Sequence, residues 1–407
     1  MNFFIIVLQD PKTSDGKETI SVKIVVAPDS FKGCCTAAAA SRAFAQGIAA
    51  VFPQAEIVHL PVGDGGEGTV DALLAALGGT KETVDVTGPL GERAAAVFAV
   101  LPDGTAVVEV ASASGLPLVP RERLNPLIAT SRGTGELIRA ALDRGCRKFL
   151  VGLGGSATND AGMGMAQALG VSFFDAAGRE LGPGGAELER LDHIDVSRLD
   201  ARLSQSRFTA LCDVKNPLCG PDGASAVYGP QKGATPEMIA RLEAALYRFA
   251  QIARRDLGRD VLAVPGSGAA GGLGAALALF CGARIQPGID TVLELIHFDA
   301  HMSGCDLVIT GEGSIDGQSA YGKVPVGVAR RAKRHGRIPV AAVVGSMKPG
   351  AEKAYEYGID VIMPTATGPM TLDESIARAP ELLSGAAERL MRIVRMMLKH
   401  VHLSTEQ

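Results

Sequence analysis

Apolar positions along this chain fall into short runs that end in glycine-rich polar turns, and the spacing within the runs changes along its length. From 22 to about 80 the pattern predicts a strand over 23–27, a helix over 36–51, a strand over 56–60 and a helix over 67–77. Such alternation marks βαβ units around a parallel sheet. Residues 82–115 instead alternate with period 2 around a Pro-Asp-Gly turn, which predicts antiparallel strands. A helix over 134–145, a strand over 148–152 and a helix over 161–169 follow. Next come a hairpin over 171–181, a strand over 208–213 and a long amphipathic helix over roughly 236–256. Past 274 the βα rhythm returns, with helices over 275–281 and 289–302 and a strand over 305–310. A helix over 325–335, a strand over 338–344, a helix over 350–357 and a strand over 359–363 lead to a terminal helix over about 373–400.

A length of 407 residues exceeds what one core usually supports. The fold class expected is α/β: a doubly wound, flavodoxin/Rossmann-like domain built from both chain ends (22–80 plus 266–400), with a mixed α/β second domain, 81–265, inserted in it. Residues 1–21 read as an N-terminal extension and 401–407 as a tail. Ligands of doubly wound sheets lie beyond the carboxyl ends of the strands, so the turns there are expected to converge on an interdomain cleft.

Five of those turns carry charge: KIVVAPDSFKG (23–33), IVHLPVGDGGEG (57–68), FLVGLGGSATNDAG (149–162), ALCDVKNPLCG (210–220) and DLVITGEGSIDGQSAYGK (306–323). Glycine turns after strands let backbone N–H groups approach an anion, and Asp and Lys interleaved there suit a metal-held polyphosphate. Candidate catalytic residues are Lys32, Asp64, Asp213 and Lys323. The lysines would neutralise phosphate, and the aspartates would hold a metal or take a proton. Glu312 and Asp316 are candidate Mg²⁺ ligands. Ser30, Arg132, Ser156, Thr158, Asp160, Lys215, Asn216 and Gly313 are candidate substrate or phosphate contacts. Arg132 opens a predicted helix, where the dipole repels it unless an anion such as a carboxylate compensates. Singly, each of these residues also reads as a loop cap or a solvated turn.

Several motifs point elsewhere and fall short. Gly317 to Lys323 spells G-x-x-x-x-G-K, but Val324 replaces the P-loop hydroxyl and Pro325 disturbs the helix start. GSGAAG (266–271) matches G-x-G-x-x-G, yet Pro265 interrupts the junction and Asp290 reads as a helix cap. A hinge or close packing suits those glycines better. HFDAH (297–301) places two histidines on one helix face without the glutamate or third ligand of a zinc site. No G-x-S-x-G elbow surrounds Ser30 or Ser156. A net charge of −4, no Trp and five Tyr give no reason to expect nucleic acid. Seven scattered cysteines suit reduced thiols, and the short apolar start lacks the features of a signal peptide or membrane span, so a cytoplasmic protein is expected.

Six blocks in order carry a family likeness: KIVVAPDSFKG, PVGDGGEGT, GLGGSATNDAGMGMAQALG, CDVKNPLCGPDGASAVYGPQKG, PGSGAAGGLGAAL and DLVITGEGSIDGQSAYGKVP. Together they closely resemble bacterial glycerate kinase of the first type, from about Lys23 to about Thr367. The resemblance implies ATP-dependent, Mg²⁺-assisted phosphorylation of D-glycerate in glyoxylate and organic-acid catabolism. The implied product is 2-phospho-D-glycerate ahead of 3-phosphoglycerate. It also implies a flavodoxin-like domain from both ends and an inserted second domain. The alternatives are an NAD(P)-dependent dehydrogenase of a small hydroxy acid, using GSGAAG, and a non-enzymatic small-acid-binding protein.

Overall fold

The structure, a computed structural model, describes residues 13–14, 17–18, 22–317 and 323–405. Most of the 1–21 extension, residues 318–322 of the G-x-x-x-x-G-K segment and the last two tail residues therefore lie outside the described residues. In chain order the main strands are β1 (Lys23–Pro28), β2 (Glu56–His59), β3 (Thr80–Thr87), β4 (Arg93–Val100), β5 (Thr105–Glu109), β6 (Lys148–Gly152), β7 (Arg207–Leu211), β8 (Arg284–Gln286), β9 (Leu307–Ile315), β10 (Val340–Met347) and β11 (Val361–Pro364). The helices used below are α1 (Ala37–Ala49), α2 (Arg132–Asp143), α3 (Pro236–Leu257), α4 (Ala269–Phe280), α5 (Val324–Lys333) and α6 (Ala379–Thr405). The chain divides into two compact units, one of Met1–Gly63, Asp71–Ala76 and Ile289–Gln407, the other of Asp64–Val70 and Leu77–Gly288.

The first unit holds a five-stranded sheet in the order β11-β10-β9-β1-β2, with every pairing parallel. Counted along the chain this is 2-1-3-4-5, the flavodoxin-like order, whose switch point lies between β1 and β9. Residues 24–27 and 340–344 are buried without alternation, as parallel strands covered on both faces must be. Thr36 caps α1 by accepting from the Ala39 N–H at 3.2 Å. Phe44 and Ile48 of α1 share a core with Leu383, Ala387 and Leu390 of α6.

The second unit holds a six-stranded sheet in the order β8-β7-β6-β5-β4-β3. The first four are parallel, and β5, β4 and β3 pair antiparallel, as the period-2 pattern predicts. Phe149 and Phe208 stack on adjacent strands with centroids 4.3 Å apart. Leu273, Leu277 and Phe280 of α4 join the core that contains them, and β8 extends the same sheet. Residues 266–288, which the apolar rhythm groups with the first domain, thus belong to the second unit by packing and pairing.

Three local expectations change. Ser172–Asp175 takes a partner beyond its own predicted hairpin: it pairs with Leu191–Asp195, while the hairpin itself closes through the Asp175 N–H to the Arg179 carbonyl (2.9 Å), the Leu181 N–H to the Phe173 carbonyl (2.8 Å) and the bridge Phe174–Glu180. The helix expected over 289–302 stops at Leu295, and His297 takes a left-handed φ of 55°, so the two histidines do not share a helical face. The terminal helix is two helices, Leu372–Ala377 and α6, and α6 runs on through residues 401–405 of the expected tail. No helix among the described residues is long and apolar enough to cross a membrane.

Candidate active site

In the first unit, β1 ends at Pro28 beside Gly311 of β9, so both strands open at the switch point. The Asp29 N–H donates to the Gly311 carbonyl at 2.8 Å, carrying the chain on past the strand end. Phe31 and Cys35 exchange backbone hydrogen bonds of 2.9 Å and close a tight loop. Buried Phe31 sits edge-on to Phe44 at 6.4 Å, which anchors that loop and leaves Lys32 exposed at its tip. Gly313 faces the same loop, since a Cβ there would stand 3.7 Å from the Lys32 backbone nitrogen. Lys323 is the residue before α5, with Pro325 in its first turn. Its ammonium lies 4.0 Å from Glu312 Oε2 and 3.7 Å from Asp316 Oδ1. Ser30, Lys32, Glu312, Gly313, Asp316 and Lys323 therefore all belong to the carboxyl-end segments and loops of β1 and β9.

In the second unit, glycines let three loops stack at the carboxyl ends of β6 and β7. A Cβ at Gly65 would stand 2.7 Å from Leu211 Cβ, and one at Gly154 would stand 2.6 Å from Gly66 Cα. The Gly154 N–H donates to the Gly65 carbonyl at 3.1 Å. Asp64 Oδ1 accepts from the Gly66 N–H at 2.9 Å, an Asx turn that holds this loop. Asp213 Oδ1 accepts from the Gly288 N–H at 2.8 Å. A side chain at Gly288 would overlap the Asp64 carbonyl and press to 3.1 Å from Asp213 Oδ2. Asp64 and Asp213, 149 positions apart by their numbers, thus meet at one glycine.

The loop from Ser156 to Asp160 is built differently. Thr158 and Asp160 have no exposed surface, and Ser156 only 4%. Asp160 accepts from Ser131 N (2.8 Å), Ser131 Oγ (2.9 Å), Gly162 N (3.1 Å) and Gly164 N (3.3 Å). Burial pushes its carboxyl above the usual carboxylate range despite those donors. Asp160 is expected from the sequence to touch substrate, but it is wholly enclosed and ties the start of α2 to this loop. Arg132 also has its own anion: its Nε donates to Glu136 Oε1 at 3.2 Å, so a protein carboxylate supplies the compensation expected of substrate. Lys215 is exposed, while the Asn216 side chain is engaged by the Asp222 carbonyl and the Tyr228 hydroxyl, each at 2.7 Å.

One residue of this loop's surroundings escapes sequence reasoning. Lys232, 2% exposed, donates to the Thr158 carbonyl at 2.6 Å and to Ser156 Oγ at 3.3 Å. Burial lowers its pKa to about 7, with the field of Asp160 opposing. The residue stands in GPQKG after no strand, so nothing in the local pattern marks it; only its place in a family-like block could have drawn notice.

Glu312 and Asp316 form a donor set of the size Mg²⁺ takes beside substrate phosphates, one or two carboxylates with oxygen ligands otherwise. Among the described residues no group of three or more His, Cys, Asp or Glu is placed to hold a metal ion.

The comparisons with known proteins decide the family. A model of the glycerate kinase family matches residues 24–395. The chain belongs to the glycerate kinase family. It is 46% identical over 374 residues to a Haemophilus influenzae protein named glycerate kinase, covering 92% of this chain and 99% of that one. It is 47% identical over 370 residues to an Escherichia coli protein named glycerate 2-kinase, covering 91% and 97%. A crystal structure of a candidate glycerate kinase 2 from Salmonella typhimurium superposes with a TM-score of 0.82 at 46% identity, covering 93% of this chain and all of the other. The family is one of phosphotransferases with an alcohol group as acceptor.

Proposed function

We propose that this glycerate kinase family member transfers the terminal phosphoryl group of ATP to the 2-hydroxyl of D-glycerate, releasing ADP and 2-phospho-D-glycerate. The observation that carries the reading is the family match along residues 24–395. The 2-position is supported by the name of the Escherichia coli relative. Phosphoryl transfer asks mainly for positioning and neutralised charge. Lys32 and Lys323, on loops beyond β1 and β9, supply positive charge to the transferred group. Glu312 and Asp316 would hold Mg²⁺, which offsets charge on the ATP phosphates when bound. Asp213, fixed by the Gly288 N–H, takes the proton from the substrate hydroxyl, and Asp64, whose backbone carbonyl packs against the same glycine, is the alternative base. Ser156 and the loop around it receive the glycerate carboxylate. A cytoplasmic setting for this chemistry is supported by seven cysteines that are all free.

A ³¹P NMR assay with D-glycerate, ATP and Mg²⁺ tests the reading. A new phosphate monoester resonance matching 2-phosphoglycerate, growing with ADP, is expected. A 3-phosphoglycerate resonance would correct the position. Absence of transfer, with NAD(P)H fluorescence enhanced by the protein, would favour a dehydrogenase. Carboxylate binding without ATP turnover would favour a non-enzymatic acid-binding protein.

A further inference from the structure

The Lys232 ammonium is enclosed, and its charge is not met at contact by a carboxylate of the described residues. Among the described residues no carboxylate lies within 4.0 Å of its Nζ. The anion whose field reaches it, Asp160, is committed to Ser131, Gly162 and Gly164. Its bonds run instead to neutral oxygens, the Thr158 carbonyl and the Ser156 hydroxyl. A charge buried on such terms is costly unless something completes its environment. The geometry at Ser156 shows what would. Ser156 Oγ accepts from Lys232 Nζ at 3.3 Å and from the Thr158 N–H at 3.2 Å. A hydroxyl has two acceptor positions and one proton to give. With both acceptor positions occupied, Ser156 is left to act as a donor. Its neighbours inside the loop are poor takers: Thr158 Oγ1 at 3.2 Å, and a Thr158 carbonyl at 3.4 Å that Lys232 already holds at 2.6 Å. An incoming carboxylate is a stronger acceptor than either.

We propose that Lys232 is a positioning residue for the substrate carboxylate: acting through Ser156, it turns that hydroxyl into a fixed donor and places positive potential behind it. The inference rests on the reading of Ser156 as the carboxylate contact. The resulting specificity is for an anionic end on the acceptor alcohol, because a neutral polyol gains nothing from the charge behind Ser156.

Steady-state kinetics on the full-length enzyme separate the two ideas. Ser156→Ala should raise KM for D-glycerate by roughly 10–100-fold, the range for losing a hydrogen bond to a charged group. Lys232→Met should raise it by a similar factor, with kcat and the KM for ATP within about twofold of wild type. The double variant should be no worse than Ser156→Ala alone, since residues acting as one unit are not additive. An unchanged KM in Ser156→Ala would remove the carboxylate reading and the inference with it. A raised KM in Ser156→Ala with none in Lys232→Met, or an additive double variant, would overturn the inference while leaving the reading intact. A fall in kcat in Lys232→Met with both KM values unchanged would mark a merely structural role and also overturn it. Should Lys232→Met not accumulate folded, Lys232→Gln, which keeps a donor and drops the charge, carries the same test.

Discussion

Lys323 lies 3.7 Å from Asp316 and 4.0 Å from Glu312 with 37% of its side chain exposed, which leaves it reachable by a phosphate. If it meets the transferred group, Lys323→Ala should lower kcat by about 10²–10³ with little change in the KM for D-glycerate. Single-turnover measurement of phosphoryl transfer checks this, and a normal rate would remove that role. Lys232 makes a thermodynamic prediction of another kind. Burial holds its folded pKa at about 7, against roughly 10.4 for an unfolded lysine. Between those values the unfolded chain binds more protons, so the lysine's contribution to stability rises with pH there, by up to about 1.4 kcal/mol per unit. That contribution disappears as pH falls through 7. Denaturant midpoints for wild type and Lys232→Met should therefore diverge in favour of wild type on going from about pH 6.5 to about pH 9; a constant difference would refute the shift. At this scale the sequence reveals which residues stand at or just beyond a strand end. Lys32, Asp64 and Asp213 occupy such positions and are legible there, while Glu312, expected beyond a strand ending at 310, lies inside β9. Lys232 is not legible, because its environment is made by residues some 70 positions away, Ser156 and Thr158.

Helix α4 shows how a local rule is broken for the sake of a loop beside it. Ala270, Gly271 and Gly272 take φ of 52°, 69° and 92° within one helical stretch. Glycine does this freely, whereas alanine incurs about 1 kcal/mol of steric strain. Gly271 has a second reason to be glycine, since a Cβ there would overlap the Thr158 carbonyl and come 2.6 Å from Asn159 Cα. Ala161, facing it, is also left-handed at φ 51°, and its N–H donates to the Gly271 carbonyl at 3.0 Å. Substitutions one position apart should thus act in opposite directions. Ala270→Gly should be neutral or stabilising by up to about 1 kcal/mol, while Gly271→Ala should destabilise by about 1–3 kcal/mol. Gly271→Ala should also raise KM for D-glycerate, because the displaced carbonyl is the one that holds Lys232. Urea unfolding and initial-rate kinetics check the pair; equal effects would deny that the left-handed stretch is specified residue by residue. The GSGAAG pattern does signal close backbone approach, but periodicity cannot say that Thr158 is what approaches. The same limit explains the strand at 172–175, whose partner at 191–195 lies beyond any local hairpin signal.

At the scale of the whole chain, the two units differ in how their sequence is gathered. The first takes β1 and β2 from one end and β9, β10 and β11 from the other, and places β1 inside the sheet, between β9 and β2. The βα rhythm on both sides makes a shared sheet legible, while the order 2-1-3-4-5 is not, since register comes from packing rather than from any local run. The second unit is nearly continuous, Leu77–Gly288 with the short segment Asp64–Val70, and has its own core around Phe149, Phe208 and Phe249. Non-local strand pairing forms only after loop-closure entropy has been met, and β1 cannot find β9 until some 280 further residues exist. A fragment of residues 64–288 should then fold alone, with a cooperative denaturant transition and protected amides in β5, β6 and β7. A fragment of residues 22–63 should not, because its central strand loses the neighbour that pairs Ile24–Pro28 with Leu307–Gly311. Hydrogen exchange on the two fragments decides it: fast exchange throughout the larger one would mean that the second unit's core is insufficient by itself.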